Sequence, residues 1–349
     1  MNFVLSVKKW AAAVAVAACA CAVAAPAAEA APADSTTCRD VKIPVALTHG
    51  GPQNSHIAGT YCTDAKGPGS VVQILIPGAT YDRSYWDFPG FGGRYSYVKH
   101  ASRAGQATLA IDPIGVGKST LPVGWQVSSP SSAQAVHEVI RAMRNGRLGR
   151  SWDKVVLVGH SFGSLTAMLE AGTYNDVDGL LISGASHAPG PGGIAQIIGN
   201  VRPAVDDPAT KGTTPDGDYT YLSVPNVRAG AFHAPGDSDP AVVKADEATR
   251  VAGTAGILAT IPVFIPATFD IDVPVLIANG SADKVFCAQG DGGSLTDCAN
   301  TQSLYRSERP FFPRAELSTY VLPGAGHSMN LALNNRAFFD RAVSWVDAI

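Results

Sequence analysis

The sequence predicts an α/β fold built on a mostly parallel sheet, and three observations carry that expectation. Short runs rich in β-branched residues alternate with segments long enough for helices, the order of repeated βαβ units. Those runs are apolar nearly throughout, as strands buried on both faces must be. Of 349 residues, 46% are hydrophobic and 16% charged, enough apolar material for a large core and too much for a disordered chain. A formal net charge of −3 argues against a nucleic-acid partner, which needs a basic face.

The first thirty residues read as a secretory signal peptide rather than as part of the fold. Lys8 and Lys9 precede an Ala/Val stretch from Trp10 to Val23, and Ala28-Glu29-Ala30 offers a small-residue cleavage site. The apolar run is too short and alanine-rich for a membrane span. Attachment of a lipid through Cys19 is the alternative, since Val16-Ala17-Ala18-Cys19 loosely resembles a lipoprotein processing site. Secretion to an extracellular or periplasmic space removes Cys19 and Cys21 and leaves Cys38, Cys62, Cys287 and Cys298. An even count in an oxidising compartment predicts two disulfides out of three possible connectivities, with the local pairs Cys38–Cys62 and Cys287–Cys298 preferred. No C-x-x-C or neighbouring histidine offers a metal site beside either pair, so no metal is expected.

From Val41 the elements follow in order. Residues 41–48 and 56–61 read as an opening hairpin. Strands are expected at Ser70–Ile76, Gln106–Ile111, Lys154–Val158, Gly179–Ile182, Val273–Ile277 and Leu317–Leu322, and helices at 95–104, 131–145, 161–172, 300–308 and 332–347. In the last helix Phe339, Ala342, Val343 and Val346 share a face. Some ninety residues between the strands ending near Ser183 and starting at Val273 break this rhythm. A structureless loop of that length does not fit a compact domain. The segment 187–268 is therefore read as an inserted cap, with core pieces at 31–186 and 269–349. It holds the apolar piece GIAQIIGNV, a polar loop at 205–220 and a helix-like stretch at 240–260.

The chemistry concentrates at Gly159-His160-Ser161-Phe162-Gly163. This G-x-S-x-G follows the apolar run KVVLV and precedes the helix-like LTAMLEA, the setting in which a serine is thrust out on a strained strand-to-helix turn. The Phe162 N–H and the helix N-terminus then point at a developing oxyanion. A serine needs a base, and the base an orienting acid. Of His49, His56, His100, His137, His160, His187, His233 and His327, only His327 follows the last strand in a Gly-rich loop, LPGAGHSMN. Asp283 lies just past the strand VPVLIANG. Ser161, Asp283 and His327 thus each stand just beyond a strand, where sites assemble in parallel sheets.

With GHSFG, PVLIANGSAD, GAGHS and IDPIGVGKS, the chain resembles the α/β-hydrolase family from Val41 to Ile349. The resemblance implies an eight-stranded, largely parallel sheet flanked by helices, with the cap after the sixth strand. It implies Ser161 as nucleophile, His327 as base and Asp283 as acid. The family's second oxyanion donor comes from the turn after the third strand, here Pro77-Gly78-Ala79-Thr80. Proline replaces the usual histidine, and the Ala79 N–H is the expected donor, with Thr80 next.

Other conspicuous residues have plainer readings. Gly117-Lys118-Ser119-Thr120 lacks the leading glycine of a phosphate loop, the position being Asp112, and reads as the turn after the fourth strand. His160 is expected to pack or hydrogen-bond within the elbow. His187 either stabilises a turn or faces the pocket. Asp237-Ser238-Asp239 reads as a solvated turn, and Tyr81, Tyr85, Trp86 and Phe88 as either core or pocket lining. The loop between Cys287 and Cys298 has Leu295 as its single apolar candidate for anchoring to the core.

The function these residues imply is a secreted serine hydrolase that cleaves a carboxylic ester through an acyl-enzyme and needs no cofactor. Apolar cap stretches favour a small, uncharged, hydrophobic ester. The alternatives are a lactonase, a cofactor-free lyase, a peptidase or amidase using Asp206, Asp207, Asp216 or Asp218 to hold an amine, and a binding protein with an idle triad.

Overall fold

The computed structural model describes residues 1, 36–65, 67 and 69–349; the signal-peptide and Cys19 expectations lie outside them. The opening hairpin is longer than the sequence pattern suggests: β1 spans Thr36–Val45 and β2 Ser55–Asp64, paired antiparallel. Val41, Ile43 and Val45 are buried while Lys42 and Pro44 are exposed, the alternation of a strand with one wet face. Then follow β3 (Val71–Ile76), α1 (Tyr97–Arg103), β4 (Ala107–Ile111), α2 (Ser129–Arg144), β5 (Lys154–His160), α3 (Phe162–Tyr174) and β6 (Gly179–Ser183).

Between β6 and the next strand of this sheet, the chain forms a separate set of short elements. These are α4 (Pro191–Ile198), β7 (Arg202–Pro203), β8 (Tyr221–Ser223), α5 (Pro240–Ala248), β9 (Gly253–Thr254), α6 (Ala255–Ala259) and α7 (Phe264–Ala267). The stretch 240–260 is not one helix: after Thr249 the chain extends, and Gly253 and Thr254 pair with β8 in a small antiparallel sheet ordered β7-β8-β9. The chain then returns with β10 (Val275–Gly280), α8 (Thr301–Glu308), β11 (Leu317–Leu322) and α9 (Asn335–Ala348).

The large sheet has eight strands in the order β1-β2-β4-β3-β5-β6-β10-β11. The pairs β1–β2 and β2–β4 are antiparallel and every other pair is parallel. All six residues of β3 and all five of β4 and β6 are buried. Their side chains alternate between two cores. Val72, Ile74, Val155 and Leu157 meet α2 and α3, while Val71, Leu75, Val156 and Val158 meet α1 and α9. Each such buried side chain contributes roughly 1.5–3 kcal/mol relative to exposure, which is what holds helices to both faces.

Two cysteine pairs are joined. Cys38 and Cys62 face one another across β1 and β2, with Cα atoms 4.1 Å apart, and Cys287 and Cys298 have Cα atoms 5.5 Å apart. Leu295 does not anchor the second loop, because it is 87% exposed. Polar contacts do so instead. The Ala288 N–H donates to Thr296 O at 2.8 Å, Ser294 Oγ to Ala188 O at 2.6 Å, and the Cys298 N–H to Gln289 Oε1 at 2.8 Å. The glycines allow close approach, since a Cβ at Gly290 or Gly292 would run into the backbone of Asp283 or Lys284.

Candidate active site

Three strands of the parallel run β5-β6-β10-β11 deliver the three predicted residues to the carboxyl end of the sheet. Ser161 follows β5, Asp283 follows β10 and His327 follows β11. Ser161 sits at φ 51° and ψ −121°, in the left-handed half of backbone space that a side chain rarely adopts. The turn fits only because its flanks are glycine. A Cβ at Gly159 would strike the backbone of Ser164, and one at Gly163 the carbonyl oxygens of Ile76 and Pro77. The Ser161 N–H donates to Ser183 O at 2.8 Å, tying the elbow to β6.

Asp283 is fully buried and anchored. Asp283 Oδ1 accepts from the N–H groups of Val285 (2.7 Å) and Phe286 (3.1 Å), and its Oδ2 stands 2.9 Å from His327 Nδ1. With the Nδ1 proton directed at Asp283, the lone pair of Nε2 is left to accept another proton. The imidazole is packed by Phe232, Phe286 and His160 at centroid distances of 4.9, 5.6 and 4.8 Å. Gly184 lets these parts meet, because a Cβ there would lie 2.8 Å from His160 Cε1 and 3.3 Å from His327 Cε1.

Ser161 shares an apolar cavity of about 110 Å³ with Phe162 and Ala79. Ile197, Val201, Leu222, Val224 and Ile257 of the segment between β6 and β10 form much of its wall, and Phe232 joins this wall to His327. The Phe162 N–H is the first of α3, among the amides that have no acceptor within their own helix. Ala79 lies in the turn after β3, and Gly78 packs this turn on the elbow, where a Cβ would come within 3.0 Å of Ser161 Cβ.

That turn rests on a buried polar cluster the sequence reading did not find. Thr80, a β-branched residue, is held at φ 64°. Arg228, wholly buried, donates through Nη1 to Thr80 Oγ1 (3.0 Å) and through Nη2 to Thr80 O (2.8 Å). Its guanidinium lies 3.8 Å from the Tyr81 ring centroid, and its Nε is 3.8 Å from Asp246 Oδ1. Asp246 Oδ2 in turn accepts from Tyr81 Oη at 3.0 Å and lies 3.0 Å from His233 Nε2. Tyr81 Oη also meets Ser328 Oγ at 2.9 Å, next to His327. The signal in the sequence was a lone arginine inside an apolar run, VPNVRAGAF, because a buried cation must find a partner.

The remaining singled-out residues fall into place. His160 stacks on Tyr85 at 4.2 Å, and burial drives its pKa well below the ordinary imidazole value, aided by His327 and Arg228 nearby. His187 is buried against Glu308 (2.7 Å) and Thr268 (3.1 Å) and braces a turn. Asp237 is not solvated: its Oδ2 accepts the Gly326 N–H at 2.8 Å and so supports the histidine loop. Tyr81, Tyr85, Trp86 and Phe88 are buried in the core rather than along the cavity. Lys118 and Ser119 close the turn after β4 on Asp112, with no phosphate-loop geometry.

The sequence profile of the Alpha/beta hydrolase family matches residues 73–341. The chain belongs to this family. Its mostly parallel, eight-stranded sheet is that of an α/β-hydrolase fold. A soluble variant of the monoglyceride lipase of Saccharomyces cerevisiae superposes with a TM-score of 0.60 at 16% identity, covering 88% of this chain and 96% of that one. A monoacylglycerol lipase of Paleococcus ferrophilus gives 0.53 at 17% identity, covering 89% and 98%. A bromoperoxidase of Bacillus anthracis gives 0.56 at 16% identity, covering 89% and 100%. At such identities the likeness is one of fold, and chemistry has to be argued from the site. No curated protein matches the chain.

Proposed function

We propose that the protein is an exported serine hydrolase that cleaves carboxylic esters carrying a short apolar group. Ser161 Oγ attacks the ester carbonyl while His327 Nε2 takes its proton. Asp283 holds the imidazole by Nδ1–H and stabilises its charged form. The Phe162 and Ala79 N–H groups receive the oxyanion. His327 then protonates the departing alkoxide, leaving an acyl group on Ser161, and water attacks that group with His327 as base. The segment 187–268 acts as a cap on the core pieces 31–186 and 269–349. The joined cysteine pairs accord with an oxidising compartment. Among the described residues no helix is long and apolar enough to cross a membrane.

The observation that carries this reading is the cavity wall shared by Ser161, Phe162 and Ala79. At about 110 Å³ it is smaller than the apolar cavity of roughly 150 Å³ that accommodates benzene, which favours acetyl- to butyryl-sized groups over long chains. None of Asp206, Asp207, Asp216 and Asp218 lines it. Asp207 is occupied by Arg250, and Asp218 by the Gly124 N–H and Thr220, so support for an amine-holding peptidase site is lacking. The test is a panel of p-nitrophenyl acetate, butyrate and palmitate against aminoacyl p-nitroanilides, with mapping of a serine-reactive phosphonate. The expected result is turnover of the two short esters and a label on Ser161. Preferential anilide cleavage, or a label on another serine, overturns the reading.

A further inference from the structure

A second cluster lies at the other end of α3 from Ser161. His137 projects from α2 and Glu170 from the last turns of α3. Asn175, in left-handed conformation (φ 50°, ψ 45°), turns the chain so that Asp176 returns to the same place. One ligand atom from each of the three residues lies within 4.8 Å of the others. His137 Nδ1 is 2.8 Å from Asp176 Oδ2 and 3.6 Å from Glu170 Oε1. Ligands about 2.1 Å from a tetrahedral zinc ion stand roughly 3.4 Å from one another, so these separations bracket what such an ion demands.

The polar inventory of the cluster is unbalanced. The Glu170 side chain is wholly buried, and neither of its oxygens receives a hydrogen bond of ordinary geometry; Asp176 Oδ1 likewise has none. A buried carboxylate without donors, beside a second carboxylate, is costly, and either a bound cation or a held proton relieves it. The histidine is fixed in place for that role. Its ring stacks on Tyr174 with centroids 4.0 Å apart and planes 15° from parallel, and Tyr174 Oη donates to Gln134 Oε1 at 2.8 Å. The His137 and Asp176 side chains keep 15% and 24% exposure, which leaves an approach from solvent and room for water as a further ligand.

We propose that His137, Glu170 and Asp176 bind a divalent transition-metal ion of the zinc class that clamps the end of α3 to α2. One imidazole with two carboxylates suits zinc, whereas calcium and magnesium take oxygen ligands alone. The ion sits about 13 Å along α3 from Ser161, at 1.5 Å of rise per residue, so its role is structural rather than catalytic. No motif spacing announces the site, because its ligands come from separate elements. The inference is independent of the ester-hydrolase reading.

The full chain, stripped with a chelator, is titrated with Zn²⁺ by calorimetry and melted with Zn²⁺, Ca²⁺ or Mg²⁺. The expected result is one Zn²⁺ per chain and a raised melting temperature with Zn²⁺ only. Glu170→Gln and His137→Gln should each weaken binding by more than about a hundredfold, beyond what loss of an outer-shell partner costs. Asp176→Asn, at the partly exposed ligand, serves the same comparison if the buried variants do not fold. Two outcomes overturn the proposal. One is the absence of stoichiometric binding, with the three groups instead sharing protons. The other is Zn²⁺ binding in His137→Gln or Asp176→Asn as tight as in the parent.

Discussion

The large sheet and the segment that interrupts it are both well buried, yet they are held by different forces. In β3 to β6 the interior is almost entirely aliphatic, and strand periodicity alone assigns each side chain to one core or the other. The interrupting segment instead relies on charged groups at its centre. Arg228 and Asp246 are wholly buried, and Asp207 is gripped by Arg250 through contacts of 2.8 and 3.0 Å. The sheet thus needs only the right kind of residue at each position, whereas the insertion needs particular partners. On the proposed mechanism a division of labour follows: strand ends present the reacting groups, and Arg228 of the interrupting segment holds the turn at Thr80 beside them.

Removing the nucleophile separates the two regions most sharply. On the proposed mechanism, Ser161→Ala should cost about a million-fold in kcat with the melting temperature kept, since it removes the attacking oxygen and little else. Esterase assays and a melting curve check this, and retained turnover would move the nucleophile elsewhere. Asp283→Asn should cost about ten-thousand-fold, because an amide at that position favours the wrong imidazole tautomer. A loss below tenfold would mean that the contact with His327 is mere packing.

The insertion's contribution should be smaller and of another kind. Arg228→Met frees Thr80 from its strained backbone and should lower kcat about a hundredfold with little change in KM, the cost of a displaced donor. Adding Thr80→Gly, which accepts a positive φ without strain, should recover part of that loss. A fall in stability without a kcat effect, or no recovery in the double variant, would make Arg228 a packing residue only.

The smallest effect concerns the Asp207–Arg250 pair. Arg250 holds the Asp207 carboxyl below the usual carboxylate range. Its stabilisation is therefore present above the ordinary aspartate value of about 3.9 and is lost as pH falls through the depressed one. Asp207→Asn should lower the melting temperature by a few degrees at pH 7 and by progressively less as pH falls below about 3.9, with catalysis untouched. A pH-independent difference would contradict the pairing.

This contrast also explains what the sequence made legible. The positions of Ser161, Asp283 and His327 just past β5, β10 and β11 were readable because each lies beside a strand whose apolar run marks its end. The helix pattern of α9 placed Phe339, Ala342, Val343 and Val346 on a buried face, where they are found. Arg228 stood out only as a lone cation in an apolar run, and the partners of Arg228, Asp246, His233 and Asp237 were not readable, because no local period encodes an ion pair. Asp237 looked solvated for the same reason: its acceptor role depends on the Gly326 N–H, far along the chain. Leu295 misled because apolar character alone does not say which way a loop residue faces.

The outermost strand of the large sheet, β1, has a border with no neighbouring strand among the described residues. Such a border is a template on which another polypeptide can add itself, and the usual route begins with a register slip or with the strand peeling away. Cys38 lies directly opposite Cys62, so the bond between them acts as a covalent rung that fixes the count of residues along the pair. A slip by one position would turn Ile43 and Val45 toward water, and the rung forbids it. The hairpin can fray at its ends, but it cannot surrender this strand to a neighbouring molecule. That makes the linkage a safeguard for the population of molecules as much as for any single one.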